Sequence, residues 1–138
     1  MPCSGTFNRN ELYDLLCDDW FWRVKYPTCN CIIGGDFNVD LDGVNAFSTT
    51  VNNFISNRSL SRCDLTFPTA TKYTYDAPNC QNIINYFLIA DISKVCQFDI
   101  IDHHSNSSDH VPLHCVCKTA VSLSTRPGKM TILIAKFT

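Results

Sequence analysis

Ile32-Ile33-Gly34-Gly35-Asp36-Phe37-Asn38 is the stretch whose reading decides the fold. Ile32 and Ile33 close a short apolar run over 29–33 that reads as a buried strand. Gly34 and Gly35 let the backbone turn sharply or lie close to another group. Residues two apart at a strand end share a side, so Asp36 and Asn38 are expected to point the same way. Crevices beyond strand C-termini are where open α/β sheets hold their ligands. The same residues also suit an ordinary turn, because Gly, Asp and Asn are turn formers.

Around this stretch the chain alternates strand-like and helix-like segments, which predicts an α/β domain. A helix is expected over 8–25, with Asn8 as N-cap, Glu11 three residues on, and an apolar stripe through Leu12, Leu15, Leu16 and Val24. Pro27 forbids its continuation. A second amphipathic helix is expected over 45–57, with Val44, Phe47, Val51, Phe54 and Ile55 on one side. Residues 58–72 read as irregular. Strands are expected at Tyr73–Tyr75, Ile83–Ile89, Val95–Ile101 and Val111–Cys117, with a turn from Asp76 to Asn82 around Pro78 and Asn79. The Asp40–Asp42 loop lacks the rest of a calcium-loop pattern and reads as solvated. The domain is expected to span 1–118. Residues 119–138 form a polar linker and a tail whose apolar run, Met130–Phe137, is an edge strand or an unpaired segment.

With 138 residues, 45% hydrophobic and 17% charged, the chain has the length and composition of one globular domain. No apolar run reaches the ~18 residues of a membrane span, so no membrane partner is expected. No signal-peptide pattern is visible at the N-terminus, and a cytoplasmic or nuclear setting is expected. Residues 1–118 hold eight of the eleven basic and all thirteen acidic residues, a balance of −5. An acidic body is a poor match for a polyanion unless cations mediate. The nine cysteines are expected to be reduced thiols. Cys29/Cys31 and Cys115/Cys117 would each share one strand face, and their Cys-x-Cys spacing is not the usual zinc pattern.

Ser108-Asp109-His110, ahead of an apolar strand, is the second polar constellation. A carboxylate beside an imidazole can hold a metal, orient water and move a proton, although the same residues suit a plain loop–strand junction. His103 and His104 are expected to be solvent-exposed. There is no Gly-x-Ser-x-Gly elbow and no phosphate-binding Gly-x-x-x-x-Gly-Lys loop.

Gly34-Gly35-Asp36-Phe37-Asn38, Tyr73-Thr74-Tyr75, Ile84-Asn85-Tyr86-Phe87-Leu88 and Ser108-Asp109-His110-Val111-Pro112-Leu113, in this order, resemble the C-terminal half of the endonuclease/exonuclease/phosphatase superfamily. The resemblance covers about residues 1–118. Its flavour is that of the endonuclease domain of non-LTR retrotransposon (reverse transcriptase) polyproteins, related to apurinic/apyrimidinic endonucleases. It implies a four-layered α/β sandwich and hydrolysis of DNA phosphodiesters dependent on Mg2+ (or Mn2+). By that resemblance Asp36 activates or orients the attacking water, and Asn38 holds the water or the scissile phosphate. Asp109 binds or positions metal and water, with Asp36 as a further metal ligand. His110 contacts a phosphate oxygen.

The sequence departs from the family pattern in three ways. The family's N-terminal half, with its metal-binding Glu and Tyr-x-Pro segment, has no counterpart, and Glu11 is not a match for that Glu. The Asp that orients the catalytic His in the family is Asn85 here. The fold is therefore expected to be N-terminally truncated, mainly one sheet and its helices, with apolar surface open to self-association. The chain is expected to be a degenerate endonuclease, impaired or inactive on its own, with weak DNA binding. A non-catalytic binding remnant and a phosphatase of the same superfamily are the alternatives.

Overall fold

The structure, a computed structural model, describes residues 31–118 and the backbone of residues 132–136. The helix expected over 8–25, the start of the 29–33 strand and the 119–129 linker lie outside the described residues.

The described part is mixed α/β. Its centre is β1 (Ile32–Asp36), which runs straight through both glycines instead of turning at them. β1 pairs antiparallel with β5 (Asn85–Ile89), from Ile32 opposite Ile89 to Asp36 opposite Asn85. Its other edge pairs in parallel with β8 (Ile132–Lys136). The apolar tail segment is thus an edge strand. A two-residue strand, β2 (Ser61–Arg62), joins the far edge of β5, giving the order β2-β5-β1-β8. β2 and the single helical turn α2 (Cys63–Thr66) occupy the stretch expected to be irregular. β3 (Tyr75–Ala77) and β4 (Cys80–Asn82) form a hairpin, so the expected 76–82 turn is itself a strand pair around Pro78 and Asn79. Asn79 takes a left-handed φ of 78°, a conformation Asn tolerates. β6 (Val95–Ile100) and β7 (Leu113–Cys117) make a third, antiparallel pair with an irregularity between Val95 and Gln97.

α1 (Ala46–Asn57) starts where its cap chemistry dictates. Asn45 Oδ1 accepts from the Phe47 and Ser48 amides at 2.9 and 2.8 Å, and Ser48 Oγ accepts from the Asn45 amide at 3.1 Å. This reciprocal box satisfies orphan donors of the first turn. Val51 and Ile55 are buried as expected, whereas Val44 lies ahead of the cap and is fully exposed. Asn52 pins the helix to the loop after β1 by donating to the Leu41 carbonyl at 2.8 Å.

Strand alternation sorts the side chains of the sheet. Ile32 and Ile89 face a core with Cys63, Val95, Phe98, Ile100 and Val111, drawn from α2, β6 and the approach to β7. Phe87 lies on that face and meets Phe98 edge-on at 6.4 Å. Ile33, Tyr86 and Leu88 are buried on the other face, where Tyr86 meets Phe37 at 5.8 Å. Gly34 is required by close approach, because a Cβ there would overlap the Phe87 ring. The Phe87 ring, edge-on to Phe98, must shift to admit it. Gly34→Ala is therefore expected to destabilise the fold by about 2 kcal/mol and lower Tm by roughly 6–10 °C. A melting curve within about 1 °C of the parent would show the contact to be soft.

Under the second face, Arg62 is 7% exposed and bridges two carboxylates. It meets Asp42 at 2.8 Å and Asp64 at 2.6 Å, and its guanidinium carbon sits 5.0 Å from the Tyr86 ring centroid. The polar loop after β1 is thus tied down at Asp42, a contact the residue spacing did not reveal. Among the described residues no helix is long and apolar enough to cross a membrane.

Candidate functional site

Three segments far apart in sequence meet at one cavity of about 500 Å³. The end of β1 brings Asp36, the start of β5 brings Asn85, and the approach to β7 brings His110. Ile32, Phe87, Val111, Leu113, Cys115 and Cys117 give the cavity an apolar wall, and among the described residues no Lys or Arg lines it. The Asp36–Asn85 juxtaposition follows from the β1–β5 register, which sets these two residues directly opposite.

His110 is held on several sides. Asn85 Nδ2 lies 3.4 Å from His110 Nδ1. The Tyr75 ring packs edge-on against the imidazole at 5.4 Å, and Tyr75 forms an isolated antiparallel bridge with His110. The His110 amide donates to Ser108 Oγ at 3.1 Å, and its carbonyl accepts from Asn106 Nδ2 at 2.9 Å. Nε2 points toward Asp36, with Asp36 Oδ2 at 3.9 Å. That separation is too long for a direct hydrogen bond. It leaves room for a third oxygen about 2.8 Å from each.

With Asn85 Nδ2 as donor, Nδ1 is the acceptor and a neutral His110 carries its proton on Nε2. The Asn85 carboxamide oxygen is then buried without a hydrogen-bond partner. A buried polar atom left unpaired costs about 1–3 kcal/mol. Turning the amide over moves the deficit to the nitrogen and does not remove it. The site accordingly has one hydrogen-bonding capacity that no described protein group meets.

Asn38 and Asp109 are neighbours in the chain to this cluster, but they do not line the cavity, and both are exposed. Asn38 has a left-handed φ of 51°. Its amide donates to Asp36 Oδ1 at 2.8 Å, so the strand alternation expected to align the two side chains ends at Asp36. Asp109 uses its backbone, its carbonyl accepting from the Asp76 amide at 2.7 Å. Sequence reasoning missed Tyr75 as a neighbour of His110. The aromatic alternation of Tyr73-Thr74-Tyr75 was its only trace.

The remaining candidates sort simply. His103 and His104 are exposed as expected, in a loop, with their ring centroids 4.1 Å apart. Cys115 and Cys117 share one face of β7 with their sulfurs 3.6 Å apart. Burial pushes the Cys63 thiol up to about 11 and raises Cys115 as well. Protonated thiols of this kind are poor nucleophiles and poor metal ligands at neutral pH.

A divalent cation is the cofactor the resemblance implies. Among the described residues no group of three His, Cys, Asp or Glu side chains is gathered as a metal cage. The Asn85 carboxamide oxygen is buried, so the hard donors at the cavity are the Asp36 carboxylate oxygens. They fit an ion such as Mg2+, which takes one or two carboxylates and completes its shell with water and substrate phosphate. Comparison with protein-family models, with curated proteins and with solved structures returned no match.

Proposed function

We propose that this chain carries the phosphodiester-hydrolysing site of an endonuclease of the endonuclease/exonuclease/phosphatase type, within the four-layered sandwich that goes with it. DNA is the substrate class, and activity is low because Asn85 stands at the His-orienting position. The observation that carries the reading is the convergence of Asp36, Asn85 and His110 on one cavity from three separate segments. The motifs behind the resemblance were independent in sequence, and a chance resemblance gives no reason for them to meet.

In this reading Asp36 Oδ2 accepts a hydrogen bond from the attacking water and orients it. The Asn38 amide, through Asp36 Oδ1, fixes the carboxylate plane. His110 Nε2–H donates to a phosphate oxygen and stabilises the charge that develops there. Tyr75 and Asn85 keep the imidazole from rotating. Asp36 is the cavity residue that would hold Mg2+ or Mn2+, which supplies charge neutralisation and a more acidic water when bound.

The test is nicking of supercoiled plasmid by the whole chain with Mg2+, beside abasic duplex DNA and a phosphoinositide. Slow nicking, abolished by EDTA and reduced at least about a hundredfold by Asp36→Ala, is expected. Nicking that survives Asp36→Ala, or hydrolysis confined to the phosphoinositide, overturns the endonuclease reading.

A further inference from the structure

We infer that Thr74 is the positioning residue that holds the three parts of the candidate site in register; the inference rests on the phosphodiesterase reading for its function, and on hydrogen bonds alone for its geometry. Thr74 is fully buried, one of few polar residues so placed among the described residues. It lies just before β3, outside any regular strand. Its Oγ1 accepts from two successive amides, Ile84 and Asn85, each at 2.9 Å. A hydroxyl oxygen has two lone pairs, and here each meets a backbone donor. The same residue reaches the third segment with its backbone, since its carbonyl accepts from the Val111 amide at 2.8 Å. Its own amide donates to the Asn82 carbonyl at 3.0 Å, which closes the turn into β5.

The chain of bonds continues to the first segment. The Ile84 carbonyl accepts from the Phe37 amide at 2.9 Å, immediately beside Asp36. Thr74 is thus bonded directly to the residue that carries the Asn85 side chain and to the residue after His110. Through one peptide it reaches the residue after Asp36. Its neighbour Tyr75 packs on the His110 ring. No ladder of a single sheet makes these connections, because β1 and β5 belong to one sheet while His110 lies on the approach to the β6–β7 pair. Only a residue with a side-chain acceptor and a free carbonyl, at a point between the two sheets, can join both. Serine retains both groups. Valine has the shape of threonine and lacks the acceptor.

The test uses the whole chain with labelled histidine and backbone nitrogen. Thr74→Val is expected to move the imidazole nitrogen resonances of His110 and the amide resonances of Ile84 and Asn85, and to leave those of His103, His104 and His114 in place. Thr74→Ser is expected to retain the parent spectrum. In the nicking assay Thr74→Val is expected to lower kcat about a hundredfold with KM unchanged, the scale of a misplacement near 1 Å. Unmoved His110 signals in a folded Thr74→Val chain overturn the inference, even if nicking is observed. Should that variant not fold, amide exchange on the parent decides: Ile84 and Asn85 exchanging as slowly as Leu88 support the clamp, and exchange as fast as Gln81 overturns it. If no variant nicks but the His110 signals respond as stated, the endonuclease reading fails and the positioning role stands.

Discussion

Asn85→Asp is expected to raise the Mg2+-dependent nicking rate by at least about a hundredfold. The comparable loss of a His-orienting carboxylate in a serine protease is on the order of ten-thousandfold in kcat. The reason lies in which atom faces Nδ1. Asn85 presents an N–H to His110 Nδ1 at 3.4 Å, so protonating that nitrogen would set two donors against each other. Turning the carboxamide over relieves this, but an amide oxygen carries no net charge to stabilise an imidazolium. A carboxylate accepts from Nδ1–H and fixes the ring with Nε2–H toward the substrate, and it favours the charged form when phosphate charge develops. Its second oxygen takes the place of the unpartnered carboxamide atom and gains no described partner there. One opposing effect limits the gain. The new carboxylate would stand directly opposite Asp36 across the β1–β5 ladder, and like charges there destabilise by about 0.2–1 kcal/mol. His110 between the two carboxylates offsets most of that repulsion. A substitution that leaves nicking unchanged, in a variant that folds as the parent does, would remove Asn85 as the cause of low activity. The gain should disappear when Asp36→Ala is added.

The largest stability effect is expected at Arg62. Arg62→Ala should lower the free energy of unfolding by about 3–5 kcal/mol, because it strands a buried charge partner. The Asp64 side chain is 6% exposed, and Arg62 contacts it with both Nε and Nη2, at 3.2 and 2.6 Å. Burial works against the Arg62 charge, but its hydrogen bonds and ion pairs with Asp64 and Asp42 outweigh that and hold it protonated. The exposed partner matters less. Hydrogen bonds to Arg62 keep the Asp42 carboxyl below the usual carboxylate range. A depressed carboxylate contributes stability above its unfolded pKa, and that contribution is lost as the pH falls below about 4. Asp42 is 61% exposed at its side chain, so solvent screening keeps its share under about 1 kcal/mol. Denaturant melts of Arg62→Ala should show the full loss at neutral pH. Arg62→Met combined with Asp64→Leu should recover much of it, since an apolar pair of like volume avoids the stranded charge. A loss below about 1 kcal/mol for Arg62→Ala would place the pair with ordinary surface bridges.

The two polar constellations were legible in the sequence because their chemistry is local. Gly34–Asn38 and Ser108–His110 stand out by residue type, and the α1 segment stands out by its apolar spacing. What was misread was mostly where strands begin and end. Gly34 and Gly35 look like a turn, yet the strand passes through them because Phe87 from β5 fills the place of a side chain at Gly34. The Asp76–Asn82 turn is a hairpin because two very short strands fit around Pro78 and Asn79. Three or four residues carry too little periodicity to show this. Asn38 was expected to follow Asp36 into the site, but a left-handed backbone ends the alternation on which that rested.

The sequence by itself determined the site's chemistry: one carboxylate at the end of an apolar strand, one imidazole after a Ser-Asp pair, and a carboxamide where the resemblance calls for an acid. It also determined the acidic balance and the apolar segments from which the core is built. Only the tertiary structure decided that Asp36, Asn85 and His110 share a cavity, that Arg62 anchors the Asp42 loop, and that Thr74 bonds directly to two of the site's three segments. Each of these is a contact between residues ten to seventy-four positions apart. Such contacts are fixed by strand register and by the demand that buried polar groups be paired. Neither leaves a periodic trace along the chain.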